Sequence, residues 1–376
     1  MVAIEKNRRP TFFKNIDWIL IVAVVLLNVV GLLAIKSVSD QLQAPSLFYK
    51  QAIASFIGIA AMVIIMMLDY KDFRFLSIPI FIGTVALLIY VLIAGVGLEE
   101  TGTQGWIDLG FISFQPSELG KITLCIVTAY FFEKIKQGDG GINYVWLFGC
   151  AGFLIGLVLL QPDLGTAVVY VFMLVCMIFV FGIKYRVILI TLGIAVVSLP
   201  ILWFSVLEKV FEEYQINRIL SFLNPDAYAI STDYQVRMAI RYIGSGMLTG
   251  VGHGAEKAAL HVPTPSTDSI IAIIGEKWGF VGTVLIVILF VVILLRSLYV
   301  SRFAKDKFGS YMVIGLMAMF FFHFVENIGM NLRMFPVTGI PLPFISYGGT
   351  AIIANYIAIG LIVCVSMRRE KRMFES

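Results

Sequence analysis

Charged residues are scarce in this sequence: they make up 14% of its 376 residues, whereas hydrophobic residues make up 59%. Soluble proteins are about one quarter charged, so this composition, with a mean hydropathy of +0.93, predicts an integral membrane protein. The net charge of +4 is small, and the cations lie between apolar runs. The sequence therefore lacks the solvated basic face with which a protein binds nucleic acid.

Cysteine and histidine are scarce too. The four cysteines lie inside apolar segments without a CxxC pair, and the three histidines are scattered. This distribution argues against a zinc site and against a disulfide framework. Low-complexity tracts, heptad arrays and internal repeats are also missing, so we predict a single membrane domain over residues 1–376.

Long apolar runs dominate the sequence. A run of about 20 apolar residues crosses the hydrocarbon core of a bilayer as one helix. We therefore predict an all-α polytopic membrane protein with about ten transmembrane helices. They lie at roughly 18–35, 50–68, 76–97, 118–133, 143–160, 165–183, 187–205, 269–296, 311–331 and 349–366.

Lysine and arginine residues indicate the orientation of these helices. Short loops rich in these residues stay in the cytoplasm, and placing both termini inside puts most of the cations on the inner side. We therefore expect a multi-pass protein of the cytoplasmic membrane whose functional residues lie at its outer surface. The outward segments, rich in glycine and proline, are 98–115, 161–165, 206–268 and 333–348.

The longest polar interruption runs from Val206 to Asp268 and forms the predicted extracellular loop between the seventh and eighth helices. Asp268 places a carboxylate at the mouth of the next apolar run, between water and bilayer. Within the loop, Arg237 and Arg241 are four residues apart and share one helix face, which is typical of an interfacial helix. These cations, with the amide groups of the following glycine-rich run, either anchor lipid headgroups or meet a phosphate-bearing lipid.

Three further polar sites interrupt the apolar pattern, where ionisable groups are costly unless they face a partner, a cavity or a substrate. Glu118 and Lys121 share a helix face and form either a structural ion pair or part of a substrate site. Asp163 precedes an apolar run and either caps the sixth helix or serves that site. The prolines and glycines of residues 333–349 exclude a regular helix, so we predict a functional re-entrant segment, with a surface loop as the alternative.

Five segments of the chain, in order, resemble the SEDS family, the shape, elongation, division and sporulation proteins that include RodA, FtsW and SpoVE. The Val-Thr-Gly-Ile-Pro-Leu-Pro run at 337–343 is more similar to RodA than to FtsW. The resemblance implies a ten-helix fold and a peptidoglycan glycosyltransferase that polymerises lipid II by inverting transfer at the outer face of the bacterial cell membrane, for elongation and shape. It also implies a class B penicillin-binding protein, a transpeptidase, as partner. The matching segments are 114–121, 161–166, 234–254, 262–282 and 327–349.

The resemblance also assigns site residues. The essential aspartate of the family falls on Asp268, which we predict to be the general base that takes the proton of the attacking sugar hydroxyl. The departing diphosphate needs positive charge, either from side chains or from a divalent ion such as magnesium or manganese. The residues predicted to bind substrate are Glu118, Lys121, Asp163, Gln235, Arg237, Arg241, Arg333 and Ser346.

The chain departs from the family pattern at two places. Thr264 and Ser266 stand where glutamate and histidine are frequent, and Met238 and Ala239 stand where a Gln-Ser pair is common. A division or sporulation paralogue therefore remains an alternative. The rival functions are a lipid II flippase and a scaffold that recruits cell-wall enzymes. The polar groups gather toward one face and no internal repeat is present, which favours surface chemistry over transport.

Overall fold

The computed structural model of the protein describes residues 15–97, 103–108, 110, 113–182, 213–228, 232–252 and 262–369. The seventh predicted span, 187–205, lies outside the described residues, as do parts of the predicted loop at 206–268. The number of ten spans and the full extent of that loop therefore stay predictions.

The described residues form α-helices and one antiparallel pair of two-residue strands, Ile107–Asp108 (β1) and Ser113–Phe114 (β2). The helices are α1 Trp18–Gln41, α2 Pro45–Met67, α3 Tyr70–Phe75, α4 Ser77–Ala94, α5 Pro116–Lys136, α6 Ile142–Leu160, α7 Leu164–Phe181, α8 Glu213–Leu223, α9 Thr232–Ser245, α10 Ile270–Arg302, α11 Lys307–Asn331 and α12 Gly349–Met367.

Eight of these helices are long and apolar enough to cross a membrane: α1, α2, α4, α6, α7, α10, α11 and α12. The prediction of an all-α polytopic membrane protein is thus confirmed. Large apolar side chains such as Trp18, Phe56 and Ile93 are exposed on the outer helices, as expected for surfaces that face lipid. The predicted fourth span corresponds to α5, whose Glu118, Lys121 and other charges lower its hydropathy although most of its residues are buried.

The interior of the bundle is built around α11 and α12. Helix α12 packs along α2, while α11 contacts α5, α7 and α10. Most of α12 is buried, including Tyr356, whose ring lies 5.3 Å from that of Phe344 in the segment before α12. Helix α11 is surrounded by other helices and directly precedes the irregular segment 332–348, so its polar side chains can hold that segment in place.

One end of the bundle is held by capped helix starts. Asp17 caps α1 by accepting from the Leu20 N–H, 3.1 Å away, and its carboxylate also binds the guanidinium of Arg296 near the end of α10, at 2.7 Å. Asp306 caps α11 and accepts a hydrogen bond of 2.8 Å from the Tyr70 hydroxyl. A capping carboxylate supplies an acceptor for otherwise unpaired amides, so these contacts fix where α1 and α11 begin.

Helix α10, which corresponds to the span predicted at 269–296, is broken at Gly279. Gly279 has φ +61° and ψ −156°, which only glycine adopts readily. The break lets the turn at 246–252 pair with the main chain of α10: the N–H of Val251 donates to Glu276 O at 2.9 Å, and that of Phe280 donates to Met247 O at 2.9 Å. The break in this span was not predicted, because these hydrogen-bond partners lie distant in sequence.

Candidate active site

The backbone of Asp268, directly before the cap of α10, is fixed by two side-chain amides of α11. Asn327 Nδ2 donates to the Asp268 carbonyl at 3.0 Å, and Asn331 Nδ2 donates to the same oxygen at 2.9 Å. Asn327 also donates to the carbonyl of Ile340 at 2.8 Å. Because the two asparagines are four residues apart on one helix, they share a face, and Asp268 is held against that face.

The carboxyl of Asp268 is half-buried, and its pKa is raised. Burial raises its pKa from 3.8 to about 6, and the raise is opposed by the positive charge of Arg218 and by hydrogen bonds from the side chains of Thr267 and Thr264. A carboxylate with a pKa near 6 is still mostly ionised at neutral pH, and it is a stronger base than an ordinary aspartate. Asp268 is therefore suited to accept a proton.

Arg218 of α8 and Asp268 face each other across Gly339. A Cβ at position 339 would lie 3.2 Å from Arg218 Nη1 and 3.6 Å from Asp268 Oδ2. Gly339 has φ +79°, a left-handed conformation that costs other residues energy. Glycine at 339 therefore allows this backbone conformation and lets the main chain pass close to both the carboxylate of Asp268 and the guanidinium of Arg218.

Glu326 of α11 belongs to the same charged cluster. It is buried, and its Oε1 accepts a hydrogen bond from the Thr338 hydroxyl. Its other oxygen, Oε2, has no hydrogen-bond partner among the described residues. The carboxyl of Glu326 interacts electrostatically with both Asp268 and Arg218. Three ionisable groups from three separate elements thus meet beside the segment 337–341.

Glu118 and Lys121 form the ion pair that their spacing predicted. Lys121 Nζ lies 2.8 Å from Glu118 Oε1, and both side chains are buried. Lys121 Nζ also lies 3.0 Å from His323 Nε2, and the other ring nitrogen of His323 lies 3.1 Å from the Pro341 carbonyl oxygen. The pair is thus connected through His323 to the segment that borders Asp268.

Asp163 caps α7, as one of its two predicted roles required. Its Oδ1 accepts from the Thr166 N–H at 2.9 Å, and its Oδ2 accepts from the Gln115 side chain at 3.3 Å. Burial raises the pKa of Asp163, while the Thr166 hydrogen bonds and the Lys121 charge oppose the raise. Asp163 therefore feels the charge of the Glu118–Lys121 pair without forming an ion pair with it in the described structure.

Two of the predicted arginines bind one carboxylate. Asp233 of α9 is buried and forms ion pairs with Arg237 in the same helix and with Arg333 after α11, the latter at 2.6 Å. Arg237 also binds Asp226 at 2.8 Å. Arg241 is exposed on α9. These cations bind α9 to neighbouring segments, and Asp268 has a different cation, Arg218, beside it.

Gln235 and Ser346 lie close to Asp268 through its sequence neighbours. Gln235 Nε2 donates to the hydroxyl of Ser269 at 3.0 Å. Ser346 Oγ donates to the Thr267 carbonyl at 2.6 Å and accepts from the Leu342 N–H at 2.9 Å. Both side chains hold the turn that carries Asp268, and Ser346 is buried in that role.

A match over nearly the whole chain shows which family it belongs to. A model of the FtsW/RodA/SpoVE family, described as a cell cycle protein, matches residues 14–371. The chain belongs to the FtsW/RodA/SpoVE family. The resemblance that the motifs predicted is confirmed.

Relatives cover nearly the whole of this FtsW/RodA/SpoVE family member. A probable peptidoglycan glycosyltransferase FtsW of Geobacter metallireducens is 32% identical over 364 residues, covering 94% of this chain and 95% of the relative. Stage V sporulation protein E of Bacillus subtilis is 33% identical over 366 residues, covering 93% and 96%.

Solved structures share the fold of this family member. A chain from a structure described as "Structural coordination of polymerization and crosslinking by a peptidoglycan synthase complex" has a TM-score of 0.79 and 26% identity, covering 95% of this chain and 99% of that one. The rod shape determining protein RodA of Thermus thermophilus has a TM-score of 0.69 and 26% identity, covering 96% and 99%.

Within this family member, the described residues do not supply a ligand set for the divalent ion considered from the sequence. No group of three or more histidine, cysteine, aspartate or glutamate side chains in this part of the chain is arranged to hold a metal ion. Asp268 has Arg218 beside it, and Glu118 has Lys121. Each of these carboxylates thus already faces a cation.

Arg218 and Glu326 are the residues that the sequence analysis missed. Arg218 lies in a short helix of mixed polarity, and only the fold brings it to Asp268. Glu326 gave a usable signal, because a glutamate inside the apolar run of α11 is costly unless it has a partner or a function. The same reasoning that selected Glu118 applies to it.

Proposed function

We infer that this chain is a peptidoglycan glycosyltransferase that polymerises lipid II into glycan strands. The observation that carries the inference is Asp268, whose backbone carbonyl accepts from two asparagine amides and whose half-buried carboxyl has a pKa raised to about 6. A relative covering nearly the whole chain bears the name of this activity. The position and raised pKa of Asp268 support it as the base that the activity requires.

The reaction follows from that base. A sugar hydroxyl of the acceptor attacks the anomeric carbon of the donor, and Asp268 takes the hydroxyl proton as the new C–O bond forms. The bond from that carbon to the diphosphate oxygen breaks, and the lipid diphosphate leaves with the electron pair. One displacement from the opposite face inverts the configuration at carbon.

We propose roles for the remaining predicted substrate residues according to how each is connected to Asp268. Gln235 and Ser346 hold the turn of Asp268, so they position the base. Glu118, Lys121 and Asp163 form a second polar group connected to it through His323. Arg237, Arg241 and Arg333 lie on or beside α9 and serve the approach of an anionic substrate from the surface.

The protein is a multi-pass membrane protein, and we propose that the Asp268 end faces outward, with both termini in the cytoplasm. The cation-rich short connections gather at the opposite end, which supports this orientation. We further propose a single domain with a class B penicillin-binding protein as partner. The likeness to a chain described in a peptidoglycan synthase complex with polymerization and crosslinking supports the pairing. Cell elongation is the proposed role, with division or sporulation as alternatives.

Reconstitution with labelled lipid II tests the function. The purified protein should produce glycan strands, which gel electrophoresis resolves by length, and Asp268→Asn should abolish them without loss of folding. Asp139→Asn, an exposed carboxyl after α5, is the matched control and should retain full activity. A flippase would move lipid II across vesicles without polymer, and a scaffold would do neither. Either result in the wild type would refute the proposal.

A further inference from the structure

A cavity of about 460 Å³ lies between α1 and α10, beside the break at Gly279. Its walls are almost wholly apolar, and its lining includes Val30, Leu33, Trp278, Val281, Leu285 and Thr249. Leu33, Val281 and Leu285 are exposed, so the cavity opens onto the surface that faces lipid. Proteins bind small molecules in pockets of about 300–1,000 Å³, and apolar walls suit a hydrocarbon chain. We call this cavity the α1/α10 groove.

Helices α1 and α10 run antiparallel beside the groove. Near the end of α10, Arg296 binds Asp17 at the start of α1. Near the start of α10, Lys277 interacts electrostatically with Asp40, which lies near the end of α1. The start of α10 and the end of α1 therefore lie together, at the end of the bundle that carries Asp268.

Two lysines lie at that end of the groove. Lys277 directly precedes Trp278 of the lining, it is 2% exposed, and its ammonium has no hydrogen-bond partner among the described residues. Lys36 follows Leu33 of the lining by three residues on the same face of α1, and it is exposed. Neither lysine belongs to an ion pair within the described part of the chain. A buried cation without a partner is costly, so this end of the groove is suited to an anion.

We propose that the α1/α10 groove binds an anionic membrane phospholipid, with one hydrocarbon chain between the two helices and the phosphate at Lys36 and Lys277. The exposed Lys36 is accessible to a headgroup at the surface, and the flexible stems of both lysines let their ammonium groups turn toward it. The phosphate supplies the acceptor that the buried ammonium of Lys277 lacks. This site is separate from the glycosyl transfer proposed above and does not depend on it.

A membrane phospholipid fits this site better than the lipid-linked sugar donor does. Lys277 follows Asp268 by nine residues, which span about 13 Å along a helix. The diphosphate of the donor must lie next to the sugar carbon that reacts at the proposed base, so a phosphate at Lys277 belongs to another molecule. That molecule packs beside the turn at 246–252, where the N–H of Gly252 donates to the Lys277 carbonyl at 3.1 Å. Its binding should therefore stabilise the first half of α10.

Lipid binding by the purified protein tests the proposal. The protein is delipidated in detergent and titrated with phosphatidylglycerol, or with zwitterionic phosphatidylcholine that has the same chains, and native mass spectrometry counts the bound lipids. We expect the wild type to bind one phosphatidylglycerol about tenfold more tightly than phosphatidylcholine, the effect of charge-assisted contacts with a headgroup of net negative charge. Phosphatidylglycerol should also raise the thermal midpoint more, because it binds the folded state more tightly.

Substitution of the lysines tests the headgroup contact. Lys36→Gln/Lys277→Gln should remove the preference for phosphatidylglycerol while the chain still binds. Lys36→Gln alone changes an exposed residue, so it should fold normally and should reduce the preference. Lys305→Gln removes an exposed cation after α10, at the opposite end of the bundle, and is the control that should keep the preference.

Substitution of the lining tests the chain contact. Leu33→Trp/Leu285→Trp narrows the groove from both helices and should weaken the binding of both lipids. The control is Leu26→Trp/Leu295→Trp, which adds the same bulk at two exposed leucines elsewhere on the same helices. The thermal midpoint of each variant shows whether it is folded.

Equal binding of the two lipids by the wild type would overturn the proposal. So would unchanged binding by the folded Leu33→Trp/Leu285→Trp variant, or a loss shared by the control variants. Displacement of phosphatidylglycerol by an equal concentration of a polyprenyl diphosphate would also overturn it, because the groove would then hold the substrate. Failure of the wild type to polymerise lipid II would refute the proposed function alone, since lipid binding at this site does not require that activity.

Discussion

Lys121 Nζ lies 3.0 Å from Nε2 of His323, inside the bundle. An ammonium can only donate hydrogen bonds, so Nε2 accepts and the ring proton lies on Nδ1, which donates to the Pro341 carbonyl. Lys121 also donates to Glu118 at 2.8 Å. The lysine thus joins α5 to α11 and, through the histidine, to the segment that borders Asp268.

This arrangement makes Lys121 a structural residue in the first place. Lys121→Met leaves the carboxylate of Glu118 buried without its cation, and removal of one partner of a buried pair costs about 3–5 kcal/mol. We expect a marked fall in the thermal midpoint of the purified protein. The double variant Lys121→Met/Glu118→Gln should recover much of the loss, because it removes both charges. A stable single variant with a raised KM for lipid II would instead assign Lys121 to substrate binding.

The pH dependence of polymerisation reports on Asp268. The base works only when it has lost its proton, and its raised pKa means that protonation occurs at a less acidic pH than usual. Activity should therefore fall as the pH drops through about 6. The initial rate of lipid II polymerisation, measured from about pH 5 to about pH 8, checks this. A rate that stays constant down to about pH 5, as an ordinary aspartate with a pKa near 4 would give, would contradict it.

Thr264 should affect the pH at which activity falls on the acidic side. Its hydroxyl lies 3.5 Å from Asp268 Oδ2, and this hydrogen bond favours the ionised form. Thr264→Val removes the donor, so the pKa of Asp268 should rise and the acidic limb should move to higher pH. Thr264→Ser keeps the hydroxyl and serves as the control. The same shift in both variants would show that the hydrogen bond is not its cause, because serine keeps the hydroxyl.

Local features of the fold were predictable from sequence, because they depend on neighbours in the chain. The cap of α7 by Asp163 and the pairing of Glu118 with Lys121 follow from residues three apart. The apolar runs likewise predicted most of the long helices. Their ends were misplaced where hydropathy does not decide the boundary, as at α2, which begins with a proline in its first turn, at Pro45 and not near 50.

Features that depend on tertiary contacts escaped prediction. At the break of α10 at Gly279, the main chain forms hydrogen bonds with the turn at 246–252. The residues near Gly279 in the sequence do not indicate that this turn is the partner. Arg218 reaches Asp268 only because α8 is folded against Gly339. The base could be found from a motif, whereas the cation beside it required coordinates.

The asparagines of α11 should contribute unequally to activity. Asn327 donates to the carbonyls of Asp268 and Ile340, whereas Asn331 shares the Asp268 carbonyl and also donates within its own helix. Asn327→Ala therefore removes two contacts between elements, each worth about 1 kcal/mol, and should lower kcat more than Asn331→Ala does. Polymerisation rates of the two folded variants decide the order. Equal rates would show that the Asp268 backbone needs neither amide in particular.

Gly339→Ala tests the close approach of the main chain to Asp268 and Arg218. The new methyl group would lie 3.2 Å from Arg218 Nη1 and 3.6 Å from Asp268 Oδ2, and a φ of +79° costs alanine about 1–2 kcal/mol. We expect kcat/KM for lipid II to fall more than the stability does, because the added methyl group crowds the carboxylate of Asp268, the proposed base, and the guanidinium beside it. Thermal midpoints and polymerisation rates are compared with those of Gly149→Ala, an exposed helical glycine of α6 with open space around it. Full activity of a folded Gly339→Ala variant would show that the carboxylate of Asp268 tolerates a methyl group on this side and would contradict the prediction.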